Sequence, residues 1–307
     1  MIKCPNFFIV GAPKSGTTSL YHYLKQHPEV CIPEKEPRFF IKDSIFAVSE
    51  KDPIKPYLLR SSVLNENDYF DLYKDKSEKI LCDSSTQYLY HYEEVIPKIK
   101  ALTNEPKILI LLRNPIDRAF SNYQHNLSSV EKLSFEAALE EEQERQHQQF
   151  NSFWYYKHLS LYSKQVIAYQ NAFKNVKVLF FENFISDING TLSEIFEFLE
   201  IDSSFVPSHF MINKKSTGVP KIKWLNDFLQ YFSKLRFIKT VFYTLFGKKN
   251  TKLFRELVMR KNLTKSKAGI DQALRLKLES FFSEDVKKLK EVLPLHTVNW
   301  LNNGKDS

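Results

Sequence analysis

The chain has 307 residues, of which 43% are hydrophobic and 26% charged, with only 7 glycines. This composition is typical of a packed globular protein in which helices carry much of the mass, and we expect one domain over residues 1–307. No run approaches the roughly 18–20 apolar residues of a membrane span. The formal net charge of +8 favours an anionic ligand and leaves nucleic acid possible on charge alone.

Cysteine usage and the N-terminal residues bear on the compartment. Cys4, Cys31 and Cys82 are an odd number without the spacing of metal ligands, so we interpret them as reduced thiols. The N-terminus enters a strand directly, without the basic and then apolar pattern of a secretion signal. We therefore expect a cytoplasmic protein.

A buried strand, a tight loop and a helix start are predicted over residues 7–19. An all-apolar run ends at Gly11, and Gly16 precedes three hydroxyl residues, Thr17, Thr18 and Ser19. The glycines let the backbone approach an anion closely, while the first N–H groups of the helix and the hydroxyls donate hydrogen bonds to it. The pattern predicts a loop that binds phosphate, although an ordinary strand-turn-helix is the alternative.

The position of the lysine in this loop indicates the chemistry. A nucleotide triphosphatase loop has lysine directly after its last glycine, but Thr17 follows Gly16 here and the loop's only lysine is Lys14. This shift moves the positive charge toward the bridging region, where a leaving group would develop charge. The loop therefore favours transfer of a terminal group from a nucleotide.

Further elements follow in chain order. A helical face begins at Leu20 and ends at His27-Pro28, and a loop over residues 32–40 follows. Residues 43–79 are polar and interrupted by prolines, so we predict a variable excursion with short helices. Buried strands are predicted over 79–83, 107–113 and 176–181, with helical patterns between them.

Apolar strands that alternate with helices predict an α/β fold. We expect a P-loop-like three-layer sandwich, in which helices cover both faces of a central parallel sheet. Ligands of such sheets bind at the carboxyl ends of the strands. Four charged residues follow these strands, namely Lys14, Asp83, Arg113 and Glu182.

A second anion-binding element is predicted after the strand over 107–113. Asn114 is a good helix cap and Pro115 fits the first helical position, so Arg113 lies just outside the helix and Ser121 lies two turns inside it. An arginine and a hydroxyl on one surface can bind a second phosphate. A capped helix with an Arg–Asp surface pair is the alternative.

These two elements, in this order, resemble those of sulfotransferases that use 3′-phosphoadenosine 5′-phosphosulfate (PAPS). The resemblance covers about residues 5–218 and is to the carbohydrate, heparan-type branch, as a soluble bacterial-type member. It implies that Lys14 stabilises the leaving group, that Arg113 and Ser121 hold the 3′-phosphate, and that no metal is needed. The implied donor-binding residues are Lys14, Ser15, Gly16, Thr17, Thr18, Ser19, Arg113, Ser121, Lys214 and Lys215.

Two further stretches resemble the acceptor side of this family. Lys35-Glu36-Pro37, followed by two phenylalanines, resembles the segment that carries the general base, and Glu36 aligns with that base. Asp83 to Tyr88 resembles the acceptor-site stretch, with Ser84 in place of a lysine, which argues against a strongly anionic glycosaminoglycan. The implied acceptor-binding residues are Glu36, Arg38, Asp83 and Tyr88. Histidines are alternative bases because the cytosolic branch uses one, and the candidates are His22, His27, His91 and His125.

The sequence therefore predicts sulfuryl transfer from PAPS to a hydroxyl or amine of a glycan, lipid or small molecule, without a nucleic-acid partner. One alternative is a P-loop kinase or other phosphotransferase, with Asp83 as a magnesium ligand. Another is a non-catalytic basic protein that binds nucleic acid or membrane.

The C-terminal part, residues 219–307, is predicted to be helical and to pack on or beside the core. Apolar residues recur at three- and four-residue spacing over 221–252, with basic residues around them. This pattern predicts either packing on the core or peripheral contact with an acidic membrane.

Overall fold

The central feature of the computed structural model is a sheet of five parallel strands. The structure describes residues 3–34, 36–208, 218–220, 263–265, 270–293 and 300. The strand order is β2-β3-β1-β4-β5, as expected for the predicted α/β sandwich. The strands are β1 (Phe7–Gly11), β2 (Val30–Cys31), β3 (Ile80–Asp83), β4 (Lys107–Leu112) and β5 (Asn175–Phe180).

Helices surround this sheet. The excursion over residues 43–79 contains the predicted short helices, and the helix after β4 begins at Pro115 as its cap pattern predicted. The α-helices are α1 (Thr17–Leu24), α2 (Lys42–Phe46), α3 (Lys55–Ser61), α4 (Glu66–Asp71), α5 (Tyr92–Leu102), α6 (Pro115–Leu127), α7 (Phe135–Glu140), α8 (Glu142–His147), α9 (Ser163–Ala172), α10 (Phe181–Ser186), α11 (Ile188–Leu199) and α12 (Gln272–Val292).

The sheet is apolar on both faces over most of its width. Strands β1, β2 and β3 are fully buried, β4 is buried after Lys107, and β5 is half-buried except for its last two residues. Side chains on a strand alternate between faces, so Phe7 and Ile9 point to one face and Phe8 and Val10 to the other. On the first face, α1 and α11 pack against the strands in one apolar cluster. On the second face, the ring of Phe8 lies 6.1 Å from that of Phe40, and α5 packs against α9.

The strand order places a topological switch point, where consecutive connections leave toward opposite edges of the sheet, between β1 and β4. The chain leaves β1 toward β2 and β3 on one side, whereas it leaves β4 toward β5 on the other. The carboxyl ends of β1 and β4 therefore open a crevice, which is where ligands of open α/β sheets bind. Lys14 and Arg113 follow these two strands.

The chain divides into two compact units. The first comprises Met1–Tyr123, Leu133–Ile212 and Gln272–Ser307, and it contains the whole five-stranded sheet. The second comprises Gln124–Lys132 and Asn213–Asp271, and its described part includes a pair of short antiparallel strands, Gly218–Pro220 and Leu263–Lys265.

Several predictions fall outside the described residues, including Lys35, Lys214, Lys215 and the segment over 221–252. In the part of the chain that the structure describes, no helix is both long and apolar enough to cross a bilayer. Cys4, Cys31 and Cys82 are unpaired.

Candidate active site

The loop after β1 has the geometry of an anion-binding turn. Gly16 adopts a left-handed conformation with φ of 89°, and α1 begins at the next residue without a side-chain hydrogen bond at its cap. The positive end of the helix is therefore not capped by a side chain of its own. Thr17 is buried at this end, while Thr18 and Ser19 are half-buried.

Glycine is required at positions 11 and 16 of the loop for different structural reasons. A Cβ atom on Gly16 would lie 2.7 Å from the ring of Phe181, so both its φ angle and this contact require glycine. A Cβ atom on Gly11 would lie 2.4 Å from the Cβ of Leu89. Gly11 therefore makes room for a neighbouring side chain, and its predicted role in approaching an anion stays a prediction.

Lys14 and Arg113 meet at the switch point, although 99 positions separate them in the sequence. The Arg113 guanidinium donates a hydrogen bond of 3.1 Å to the Lys14 carbonyl oxygen. It also lies 4.7 Å from the centroid of the Phe181 ring. The structure thus joins the two predicted phosphate-binding elements, with both cations half-buried.

Two further predicted donor-binding side chains, Ser15 and Ser121, differ in exposure. Ser15 is fully buried and its hydroxyl has no hydrogen-bond partner among the described residues. Ser121 is half-buried two turns into α6, and no hydrogen bond joins it to Arg113 in the described part of the chain. The structure therefore brings Lys14 and Arg113 into contact, while the predicted pairing of Ser121 with Arg113 at one phosphate stays a prediction.

The start of α6 is held by residues that sequence reasoning named only in part. The Asn114 carboxamide oxygen accepts from the amides of Ile116 at 3.0 Å and Asp117 at 3.3 Å, as its predicted capping role requires. Glu182 accepts from the Asn114 amide at 2.9 Å and from the Trp300 indole at 3.2 Å. Glu182, in the first turn of α10 directly after β5, therefore holds the backbone between Arg113 and the start of α6.

A buried arginine one turn inside α6 was not singled out from the sequence. Arg118 is fully buried and donates to the Ser160 hydroxyl at 2.5 Å and to the Tyr156 carbonyl at 2.7 Å. Burial lowers the pKa of Arg118 to about 10. One of its terminal nitrogens has no hydrogen-bond partner among the described residues. Only its place within the Arg113–Ser121 motif pointed to it.

The predicted general base is paired with an arginine two residues away. Glu36 and Arg38 form an ion pair, with side-chain exposures of 14% and 5%. The Thr86 hydroxyl donates to the Glu36 carboxylate at 3.3 Å, and Arg38 donates to the Ser61 hydroxyl at 3.2 Å. The carboxylate of Glu36 thus accepts from both Arg38 and Thr86.

Three of the predicted site residues have an uncommon backbone conformation. Lys14, Glu36 and Arg38 lie in the left-handed region, with φ of 70°, 60° and 54°. Such a conformation costs a non-glycine residue roughly 1–2 kcal/mol. Strain of this kind often marks functional sites and persists only where the surrounding contacts hold it. The contacts that hold the Glu36–Phe40 segment therefore bear on how the site works.

Asp83 lies inside the protein behind this segment. Its carboxylate accepts hydrogen bonds from the hydroxyls of Ser85 at 2.6 Å, Tyr69 at 2.8 Å and Tyr88 at 3.0 Å. Asp83, Tyr88 and Ser84 are fully buried. The expectation that Asp83 and Tyr88 contact an acceptor directly is therefore revised to an indirect role. The Ser84 hydroxyl has no hydrogen-bond partner among the described residues, and what Ser84 implies about acceptor charge stays a prediction.

Burial raises the pKa of Asp83 to about 6, from an ordinary value of 3.8, against the opposing effect of the three hydroxyl donors and Arg38. Because the folded chain has the higher pKa, folding favours the protonated carboxyl. This stabilising contribution is complete below about pH 4 and is lost as the pH rises through about 6. A shift of about two pKa units corresponds to about 3 kcal/mol.

We therefore expect Asp83→Asn, which cannot titrate, to be more destabilising at pH 4 than at pH 7, by about 2–3 kcal/mol. Chemical denaturation of both proteins at the two pH values measures the difference. The exposed Asp68 provides a control through Asp68→Asn. The same pH-dependent difference in both variants would contradict the assignment to Asp83.

The alternative bases differ in their surroundings. Burial lowers the pKa of His91 to about 4, and one of its ring nitrogens lies 3.2 Å from the Ser152 hydroxyl. Both ring nitrogens of His27 have hydrogen-bond partners, in the Asp202 carbonyl and the Glu29 amide. His22 and His125 are exposed. His27 and His91 therefore have structural roles.

Both charged clusters lie at the same edge of the sheet, because β1 and β3 are neighbours. Thr86, which follows β3, donates a hydrogen bond from its hydroxyl to the Glu36 carboxylate at 3.3 Å. Among the described residues, no group of three or more histidine, cysteine or acidic side chains could hold a metal ion.

The fold defines the class of protein as a P-loop-like α/β sandwich, and a family model identifies the family. The model of the sulfotransferase family matches residues 5–205, which is more than half of the chain. The chain therefore belongs to the sulfotransferase family of transferase enzymes, and the predicted resemblance is confirmed.

Similar proteins agree with this assignment. The crystal structure of a sulfotransferase from Alicyclobacillus acidocaldarius has a TM-score of 0.71 and 30% sequence identity, covering 95% of this chain and 96% of that one. Heparan sulfate glucosamine 3-O-sulfotransferase 3B1 of Mus musculus is 25% identical over 229 residues, which are 72% of this chain and 52% of that protein. The bifunctional heparan sulfate N-deacetylase/N-sulfotransferase 3 of Homo sapiens is 29% identical over 126 residues, 41% of this chain and 13% of that protein. The chain therefore spans about half the length of the first of these two curated relatives, and a smaller part of the second.

Proposed function

We propose that this protein transfers the sulfuryl group of PAPS to a hydroxyl or amine of a glycan, lipid or small-molecule acceptor. The observation that carries the proposal is that two charged clusters lie at the same edge of the sheet, after neighbouring parallel strands. Lys14 and Arg113 form the first, and Glu36 and Arg38 form the second. Family membership supports the donor, and the names of the relatives support a glycan among the acceptor classes.

The residues around Lys14 suit a nucleotide that carries several negative charges. The start of α1 has no side-chain cap, and half-buried Lys14 and Arg113 supply positive charge beside it. Arg118 adds a buried guanidinium one turn inside α6. We assign the 5′-phosphosulfate to the loop over residues 14–19 and the 3′-phosphate to Arg113 and Ser121. That Lys214 and Lys215 also bind the donor stays a prediction.

The reaction requires one bond to form and one to break at sulfur. The acceptor oxygen or nitrogen forms a bond to sulfur, while the bond from sulfur to the bridging phosphate oxygen breaks and its electron pair stays on that oxygen. Adenosine 3′,5′-bisphosphate leaves. Lys14 stabilises the negative charge on the leaving phosphate, and Glu36 takes the acceptor's proton. Catalysis then depends on positioning and electrostatics.

The kinase alternative has less support. It needs Asp83 as a magnesium ligand, but three hydroxyls already donate to this fully buried carboxylate. A purely binding role does not account for a glutamate held in an ion pair in a strained backbone conformation at the same edge of the sheet as Lys14.

Adenosine 3′,5′-bisphosphate without magnesium is expected to raise the melting temperature, since a ligand at 100 times its dissociation constant stabilises by about 2.7 kcal/mol. ATP with magnesium is the matched control and should leave the melting temperature unchanged. The reverse pattern would favour the kinase. Transfer of labelled sulfate from PAPS to glucosamine oligosaccharides, lipids and simple alcohols then identifies the acceptor class.

A further inference from the structure

Two backbone amides of the Glu36–Phe40 segment are held by buried hydroxyls. The Arg38 amide donates to the Ser85 hydroxyl oxygen at 3.0 Å, and the Phe40 amide donates to the Tyr88 hydroxyl oxygen at 3.2 Å. A hydroxyl that accepts an amide proton has its own proton left to donate. The group to which the hydroxyl donates this proton fixes the rotation of the hydroxyl, and so decides whether its lone pairs point at the amide.

Both hydroxyls donate to the same carboxylate. Ser85 donates to one oxygen of Asp83 at 2.6 Å, and Tyr88 donates to the other at 3.0 Å. An ionised carboxylate only accepts hydrogen bonds. It therefore orients each hydroxyl proton inward, so that the hydroxyl lone pairs point at the amides. Two relays, one through Ser85 and one through Tyr88, thus join Asp83 to the strained segment.

We propose that Asp83 is a positioning residue, which holds Glu36 at the site by fixing the Glu36–Phe40 backbone through Ser85 and Tyr88. The left-handed backbone at Glu36 and Arg38 relaxes unless such contacts hold it. The Glu36 amide also donates to the Ser84 carbonyl at 3.0 Å, so the segment is joined to residues 83–88 along its length. The catalytic consequence rests on the proposed function, whereas the ordering of the backbone does not.

Tyr69 provides a matched control within the same cluster. Its hydroxyl donates to Asp83 at 2.8 Å, on the oxygen that Tyr88 also uses. It accepts neither of the two amide protons that the relays hold. Its ring stacks on Phe39 at 4.3 Å between centroids, a contact that phenylalanine preserves. Tyr69→Phe therefore removes a hydrogen bond to Asp83 without removing a relay.

Amide hydrogen exchange with residue-level resolution tests the ordering without an acceptor or a nucleotide. We expect Ser85→Ala to speed exchange at Arg38, and Tyr88→Phe to speed it at Phe40, each by at least about tenfold. Tyr69→Phe should leave both amides within about twofold of the wild type. Unchanged exchange in both relay variants, or an equal increase in Tyr69→Phe, overturns the proposal. Two relay variants are used so that failure of one to fold leaves the other decisive.

Transfer kinetics test the catalytic consequence in the same variants. We expect the two relay variants to lower kcat about tenfold or more, with unchanged affinity for adenosine 3′,5′-bisphosphate, and Tyr69→Phe to keep kcat. If the loss of kcat is proportional to the loss of melting temperature in all three variants, including Tyr69→Phe, the effect is one of stability and contradicts a positioning role. If wild-type protein transfers no sulfate to any acceptor, the proposed function fails while the exchange result still decides the ordering role.

Discussion

Replacing Lys14 with alanine is expected to lower kcat for sulfate transfer by roughly 10²–10³-fold, the range seen when one preorganised donor to a developing charge is removed. Arg113 fixes the loop that carries Lys14 through the Lys14 carbonyl, and this backbone hydrogen bond survives the substitution. Affinity for adenosine 3′,5′-bisphosphate should weaken only moderately, because Arg113 and the start of α1 remain. An interaction made mainly in the transition state affects kcat more than binding.

Steady-state kinetics and calorimetric titration with adenosine 3′,5′-bisphosphate separate these two effects. Lys25→Ala is the matched control, since it removes the same charge from the other end of α1 at an exposed position. If Lys14→Ala keeps a kcat near that of the wild type, another cation stabilises the leaving group. Equal losses in the two variants would indicate a general effect of net charge.

The strands and the fold class could be predicted because their signal is local. Three strands of the sheet contain a continuous apolar run, and β5 contains one that only Lys177 interrupts; charged or turn residues follow these runs, which predicts parallel strands. The missing strand, Val30–Cys31, has two residues, too few to form a pattern. The Asn114 cap was likewise readable, because a helix cap depends on adjacent residues alone.

The surroundings of Asp83 could not be predicted in the same way. A carboxylate after a strand was expected at the ligand-binding edge, yet the hydroxyl of Tyr69 covers it from the polar excursion over residues 43–79. That excursion has no periodicity that indicates where its side chains pack. The Ser85 and Tyr88 relays connect segments more than 40 positions apart, and no spacing in the sequence encodes such a contact.

Glu36→Gln is expected to lower kcat by roughly 10²–10⁴-fold, the usual contribution of a general base. Glutamine keeps the shape of the side chain, but it cannot take the acceptor's proton. Thr86 and Arg38 donate to different oxygens of the Glu36 carboxylate, and the single carbonyl oxygen of glutamine can accept from only one of them in this arrangement. The substitution also leaves the Arg38 guanidinium without its opposite charge in a nearly buried site. Some loss of stability is therefore expected and must be measured alongside the kinetics.

Three measurements separate these effects for Glu36→Gln. Its affinity for adenosine 3′,5′-bisphosphate should match that of the wild type, because the predicted donor-binding residues follow β1 and β4 and Glu36 lies beside β3. Its melting temperature shows whether the fall in kcat exceeds any loss of folded protein at the assay temperature. Glu34→Gln, at an exposed position in the same loop, is the control and should keep full activity. If Glu36→Gln transfers sulfate as fast as the wild type, the proton acceptor is another residue, and the exposed His125 is the next to substitute.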